Sequence, residues 1–436
     1  MRRRGGFVTR ALGVAVLGIA LAAPMYAAGF SIFEQGTKAM GMAGAFTAQA
    51  DDPSALFYNA GGLAFVEKQE FSVGDTYIHA TKAEFEGDDP FPGTGYRAEQ
   101  KKLSEFPPHA YWVRPINNTW KIGVGLTTPF GLTTEWEKPA EFAGRFLSAK
   151  AALRAFDVNP TIGWQVTPNF GIGVGAIARF SDVELVRFAG AVNPFTQSVV
   201  NVGKLDLKAD FNEGYGYNIG LLHKFNNSFS WGLSYRSQIT VDYEGDATLS
   251  QISTGNAQFD AVLRTRLPFG TKLPVKTSID MPDEASLGLA FAITPNLLVE
   301  TDANWTGWSS FKEVTIDFTG GATNSLPDTT IPEQWEDVYN YRLGVRWTTG
   351  PTSQWRFGYV YDETPQREEG VSPLLPDADR NGFSIGYGYT GGLKADFAIM
   401  YLPFDERSRH KSFPGEGPFF GTYNTTAWLF GATLTF

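Results

Sequence analysis

The sequence predicts an all-β protein: a transmembrane antiparallel β-barrel of about 14 strands with an N-terminal helical hatch (plug) in the lumen. Three observations lead there. The chain opens with an export signal. Bulky apolar residues then alternate with small or polar ones over most of its length. Short turns and long loops take turns between the alternating segments.

Residues 1–27 read as a secretory signal peptide. Arg2, Arg3, Arg4 and Arg10 stand without an acid, Ala11 to Ala23 is apolar, and Pro24 leads to the small residues Ala27 and Ala28. The apolar run is too short to span a bilayer as a helix, which needs roughly 20 residues. Cleavage after Ala27 removes four arginines and no acid, taking the net charge from −10 to about −14. So acidic a chain is a poor partner for nucleic acid. Cysteine is absent. A closed barrel needs no disulfide, because its backbone is satisfied by its own ladder.

Residues 28–66 do not alternate and are rich in glycine and alanine, so they are expected to fill the lumen as the hatch. Irregular backbone cannot face lipid but can sit inside a barrel. Asp52-Pro53 reads as a helix start, with Asp as N-cap and Pro in the first turn. The turn after it holds Asn59 and Gly61.

Residues 67–436 form the expected barrel. In Ser286–Ile293 one face carries Leu287, Leu289, Phe291 and Ile293, and the other Ser286, Gly288, Ala290 and Ala292. Residues two apart share a sheet face. From Leu297 the bulky face is Leu297, Val299 and Trp305, while Glu300, Asp302 and Asn304 look into the lumen, which is expected to be watery. Aromatic content is 14 %, with 35 Phe, 17 Tyr and 11 Trp, as lipid-facing strands require. Six short turns, such as Thr167-Pro168-Asn169 and Thr294-Pro295-Asn296, alternate with seven long segments near 80–98, 129–150, 189–204, 244–274, 319–338, 363–380 and 405–421. A soluble sandwich has no reason for that alternation, whereas an outer-membrane barrel does. Trp428, Phe430, Ala432, Leu434 and Phe436 alternate to the end of the chain. Such a strand is similar to the signal read by the barrel-insertion machinery.

Several blocks resemble the FadL family of outer-membrane transporters for long-chain fatty acids and hydrocarbons, which includes the TodX-type aromatic-hydrocarbon transporters. They are Ala28-Gly29-Phe30, Ala50 to Ala55, Trp136 with Phe142 to Phe146, Asn159-Pro160, Arg187 to Gly190, Trp305 to Phe311 and Pro376 to Arg380. The family's Asn-Pro-Ala motif is replaced here by Asn59-Ala60-Gly61. The resemblance implies a hatch-closed barrel whose third strand bends inward, leaving a hole in the wall through which ligand leaves sideways. It also implies ligand-binding roles for Phe30 in the hatch and for Arg187 and Arg380 toward a carboxylate. Arginine suits that headgroup because its planar fork makes paired hydrogen bonds. Gly123 and Gly125 mark the expected bend in the third strand, which Pro129 ends. The apolar loop beyond it, with Phe130, Leu132, Trp136, Phe142 and Phe146, is expected to gather ligand. Where the family's fatty-acid members carry a lysine this chain has Thr315, which leaves room for an uncharged ligand.

The expected function is passive uptake of hydrophobic molecules, first of all long-chain fatty acids, across the bacterial outer membrane. Two alternatives remain: aromatic or alkane hydrocarbon uptake by the same route, and a general diffusion porin for polar solutes. The expected partners are the ligand and outer-membrane lipid, and the barrel is expected to be a monomer. His79, His109, His223 and His410 share no metal-ligand spacing, and no Gly-x-Ser-x-Gly elbow occurs. No catalytic residue, metal or cofactor is expected.

Overall fold

The computed structural model describes residues 29–81, 83–318 and 326–436. The expected signal peptide lies outside them. Fourteen strands close on themselves among the described residues. They are β1 (Glu70–Ala80), β2 (Leu103–Glu105 and Pro108–Pro115), β3 (Trp120–Glu135), β4 (Lys150–Thr167), β5 (Phe170–Val192), β6 (Val199–Asn226) and β7 (Phe229–Arg236 and Ile239–Gln251). Then follow β8 (Lys272–Met281 and Glu284–Thr294), β9 (Leu297–Thr306), β10 (Val338–Gly350), β11 (Ser353–Asp362), β12 (Arg380–Thr390), β13 (Lys394–Pro403) and β14 (Thr426–Thr435). Each strand pairs antiparallel with the next, and β14 pairs back with β1, Ser72 opposite Thr435 and Ala80 opposite Ala427. Closure removes the open sheet edges that a bilayer does not tolerate.

The alternation in the sequence becomes an apolar outside. Leu287, Phe291 and Ile293 are exposed, while Gly288 and Ala290 between them are buried. Outward aromatics stack across strands, as in Trp120 on Trp164, with centroids 5.7 Å apart, and Tyr401 against Trp428 at 4.6 Å. Such pairs form the girdles that sit at the lipid–water boundary.

Three expected loops are shorter than their composition implied. β5 and β6 continue their ladder to Val192 opposite Val199, so the segment near 189–204 is a tight reversal over 193–198. Thr196, Gln197 and Ser198 at its tip are exposed, while Phe188, Val202 and Leu205 beside it are buried. β7 likewise runs on to Gln251. The loop after it contains a helix, Ala257–Arg266, whose first turn is capped by Asn256, accepting from Gln258 N and Phe259 N at 3.0 Å. β3 does not end at Pro129 but resumes as Phe130–Glu135 against Ala155–Lys150.

Residues 29–66 fill the barrel from within. They carry two single-turn helices, α1 (Thr37–Met40) and α2 (Ala55–Tyr58), and a 3-10 turn over Ala60–Phe65. The N-cap of α2 is Ser54 and not Asp52, which lies in the turn before it, where its Oδ1 accepts from Ser54 N at 2.8 Å. The wall makes room with small residues. A Cβ at Gly173 would stand 2.0 Å from Ala60 O, one at Gly232 2.0 Å from Thr47 O, and one at Gly358 2.2 Å from the Met42 carbonyl carbon. Glu300 and Asp302 do not face open water. Asp302 Oδ2 accepts from Phe46 N and Thr47 N, both at 3.0 Å, and Glu300 Oε1 accepts from Ala48 N at 2.5 Å. Asn59 is fully buried, donating to Thr47 O at 2.7 Å and Leu221 O at 2.9 Å and accepting from Gly61 N at 2.9 Å. Polar wall residues thus satisfy hatch peptides that water cannot reach.

Candidate functional site

The wall has a break between β2 and β3. Their pairing ends at Ala110 opposite Leu126. Beyond it the β3–β4 register slips, with Thr127 opposite Asp157 but Phe130 opposite Ala155. One extra residue on β3 makes this a bulge. Pro129 cannot donate to the ladder, so it is the point at which the ladder fails. Gly123 and Gly125 lie in regular register instead. Gly123 makes room for Leu56 of the hatch, whose side chain would meet a Cβ at 2.9 Å.

The hatch takes over the peptide groups that β2 no longer meets. Ile32 N donates to Pro129 O at 2.8 Å and Gly131 N to Phe30 O at 3.1 Å. Gln35 Nε2 donates to Thr128 O at 2.8 Å, and Thr128 N donates back to Gln35 Oε1 at 2.9 Å. The upper half of β2 stays on β1, so a window remains. Behind it lies a lateral cavity of about 380 Å³. Its inner end holds Phe30, Phe130 and Leu132; its outer rim holds Phe106, Phe156 and Phe211, which are 62 %, 38 % and 55 % exposed. The window therefore opens between apolar aromatics.

Deeper under the loops is a second cavity of about 120 Å³, lined by aliphatic side chains such as Leu153, Leu185, Leu207, Val275 and Ile279. Lys208 and Lys276 border it through alternate, outward positions, where they pair with Asp210 at 2.8 Å and Glu244 at 2.6 Å. Phe30, Leu132 and Leu153 belong to both cavities. Phe30 is buried, and its ring centroid lies 4.7 Å from Trp308, 5.7 Å from Phe311 and Trp335, and 5.8 Å from Phe130. Gly29 before it has φ +64°, and a Cβ there would stand 2.4 Å from Trp335, so only glycine fits. Asp377 Oδ2 accepts from Gly29 N at 3.1 Å and holds the backbone beside Phe30.

A third, polar cavity of about 160 Å³ forms a vestibule above the second, with Ile331 and Leu374 common to both. Arg187, Glu333, Glu369, Arg409 and Glu416 line it. Arg187 donates to the neutral hydroxyl of Thr329 at 3.1 Å. Arg409 pairs with Glu416 at 2.8 Å. Glu333 is buried, and its Oε2 accepts from Trp335 Nε1 at 2.8 Å. Burial pushes its carboxyl up to about 8, against the pull of the indole hydrogen bond.

The residues expected from sequence separate into these places. Phe30, Phe130 and Leu132 meet at the inner end of the lateral cavity, and Phe146 lines the vestibule with Arg187. Arg380 lines the lateral cavity, away from Arg187, with its Nε on Asp362 Oδ2 at 2.9 Å. Trp136 and Phe142 line none of these three cavities. They stack at 4.1 Å, fully buried in a roof with Phe85, Phe419 and Tyr423, and Trp136 Nε1 donates to Pro373 O at 3.0 Å. Their loop is apolar because it is a core of its own. Trp308, Trp335 and Glu333 were not singled out. Trp308 lies within Trp305 to Phe311, and the segment carrying Glu333 and Trp335 has no periodicity to read.

A protein-family model described as outer membrane protein transport protein (OMPP1/FadL/TodX) matches residues 18–436. The chain belongs to the FadL/TodX family. A long-chain fatty acid transport protein of Escherichia coli O6:H1 is 25 % identical over 461 residues, covering 100 % of both chains. A 47 kDa outer membrane protein of Pasteurella multocida is 27 % identical over 424 residues, 94 % of each. Among solved structures, a Pseudomonas aeruginosa FadL homologue matches with TM-score 0.81 at 21 % identity, over 94 % of this chain and 99 % of its own. The toluene transporter TodX of P. putida matches at TM-score 0.70 and 16 % identity, over 94 % and 99 %. FadL/TodX proteins are outer-membrane transporters and not enzymes, and this barrel shares their place in the bacterial outer membrane.

Proposed function

We propose that this barrel takes up hydrophobic molecules by passive diffusion, with long-chain fatty acids as the first substrate class. Three cavities in contact carry the reading. They run from the vestibule past Ile331 and Leu374 to the aliphatic cavity, then past Phe30 to the window in the wall. Ligand passes from the loops toward apolar surroundings and leaves into the membrane. Burial of apolar surface, at roughly 25 cal/mol per Å², favours the inward step. The packed hatch below argues against an open pore for polar solutes.

Arg187 favours a carboxylate, because its partner is a neutral hydroxyl that an anion can displace. The aliphatic cavity favours the second reading, an uncharged hydrocarbon, because the lysines at its edge face away. Palmitate and hexadecane binding to the purified protein separates the two. Arg187→Ala is expected to weaken palmitate roughly 10- to 100-fold, the value of a charged hydrogen bond, and to leave hexadecane unchanged. Equal losses for both ligands, or none for palmitate, would overturn the carboxylate reading.

A further inference from the structure

We propose that Glu333 is a proton-linked positioning residue which, through Trp335, sets how firmly Phe30 closes the passage. The inference rests on the passage described above and adds a control to it. One face of Glu333 belongs to the vestibule, where ligand arrives. Its Oε2 holds the Trp335 indole N–H at 2.8 Å. That indole packs on Phe30 at 5.7 Å, Trp308 at 4.8 Å and Phe311 at 4.9 Å. One carboxyl therefore touches the outer chamber and, through a single ring, the gate between the inner two.

The backbone bearing these residues is held by strand pairing, with Thr329–Pro332 antiparallel to Glu313–Ile316 and Trp335 N donating to Phe311 O at 3.2 Å, so the movement belongs to the side chains. The segment's upper end is Thr329, on Arg187, and its backbone is also tied by Glu333 N and Gln334 N to Lys312 O at 2.9 and 2.8 Å. The charged groups facing Glu333 come from three elements. Arg409 and Glu416, from the loop between β13 and β14, are already paired with each other, and Glu369 comes from the loop between β11 and β12. Arg187 comes from β5. Among the described residues of the vestibule, Arg409 is already paired with Glu416, and Arg187, held by the Thr329 hydroxyl, is the cation without a carboxylate partner.

As a neutral acid, Glu333 stays in its buried seat and anchors the indole. Losing its proton to the vestibule water leaves an anion whose best surroundings are that water and the Arg187 and Arg409 side of the chamber. Moving there releases Trp335, and Phe30 loses one wall of its cage. The sign follows from the raised carboxyl. The anchoring is complete in acid and is lost as pH rises through about 8.

The test follows the indole N–H resonance of Trp335 by NMR in the full-length mature protein, assigned by Trp335→Phe, alongside the release rate of bound hexadecane, which does not titrate. In the wild type, the resonance is expected to shift between pH 7 and 9, with release about tenfold faster at the upper end. Glu333→Gln keeps an acceptor without a titrating proton, so both readouts should become independent of pH and release should stay slow. Trp335→Phe should release quickly at every pH. A resonance that does not titrate overturns the proposal, as does one that titrates while release stays flat. The resonance needs no ligand, so it still reports if hexadecane fails to bind, a result that would count against the transport reading alone.

Discussion

Phe30 lies where the two apolar chambers adjoin, together with Leu132 and Leu153, and it is the hatch's contribution to the boundary between them. Phe30→Ala is expected to merge the chambers. Removing a buried aromatic costs about 3–5 kcal/mol where the cavity stays empty. Here the barrel is held by its ladder, so the loss falls on the seating of the hatch end. Bound hexadecane should exchange at least tenfold faster, measured by competition with a brominated alkane; unchanged exchange would mean that Trp308 and Trp335 close the passage without it. Arg380 is a contrasting residue. It already meets Asp362 and lies over the Phe404 ring at 5.2 Å, so it is occupied where Arg187 is not. The motif containing Arg380 was legible in the sequence, but its partners lie on other strands and in the hatch, and no local pattern reports them.

At the scale of elements, β3 and the hatch answer each other. The wall loses one rung at Pro129, and the hatch segment Phe30–Gln35 restores the lost hydrogen bonds. Removing Thr128 should bring Thr127 and Phe130 into a continuous register with β4 and close the window. The barrel should still resist thermal unfolding on a gel, while palmitate uptake into cells falls to the level of a strain without the protein. Uptake at the wild-type rate would show that ligand leaves by another route. The seating of the hatch depends equally on small wall residues. Gly173→Val places a methyl where Ala60 O lies, within 2.0 Å of the new Cβ, so the hatch must shift or leave. Its eviction is expected to appear as faster protease cleavage of residues 29–66. The bend itself was anticipated at Gly123 and Gly125. Glycine in a strand has two uses, bending it or clearing space beside it, and only the neighbouring Leu56 distinguishes them.

For the whole molecule, the barrel supplies the membrane-spanning wall and the hatch fills its lumen. Deleting residues 29–66 should leave a barrel that conducts ions in planar bilayers, because the lumen then keeps a ring of glycines and the acids Glu300 and Asp302 facing water. The intact protein should conduct little. Comparable conductance in both would remove the hatch from the account.

The two-residue alternation, the turn-and-loop rhythm and the glycine-rich hatch are legible in the amino-acid sequence, because each is a local pattern that a strand or a turn imposes on its own residues. Tertiary contacts settle where the wall opens, which aromatics line the cavities and which form a roof, and which arginine is left with a neutral partner. Those outcomes depend on side chains far apart in sequence, as Glu300 and Asp302 depend on peptides Phe46 to Ala48. A residue's chemistry can be read from its letter, but its partner is chosen by closure of the barrel around the hatch.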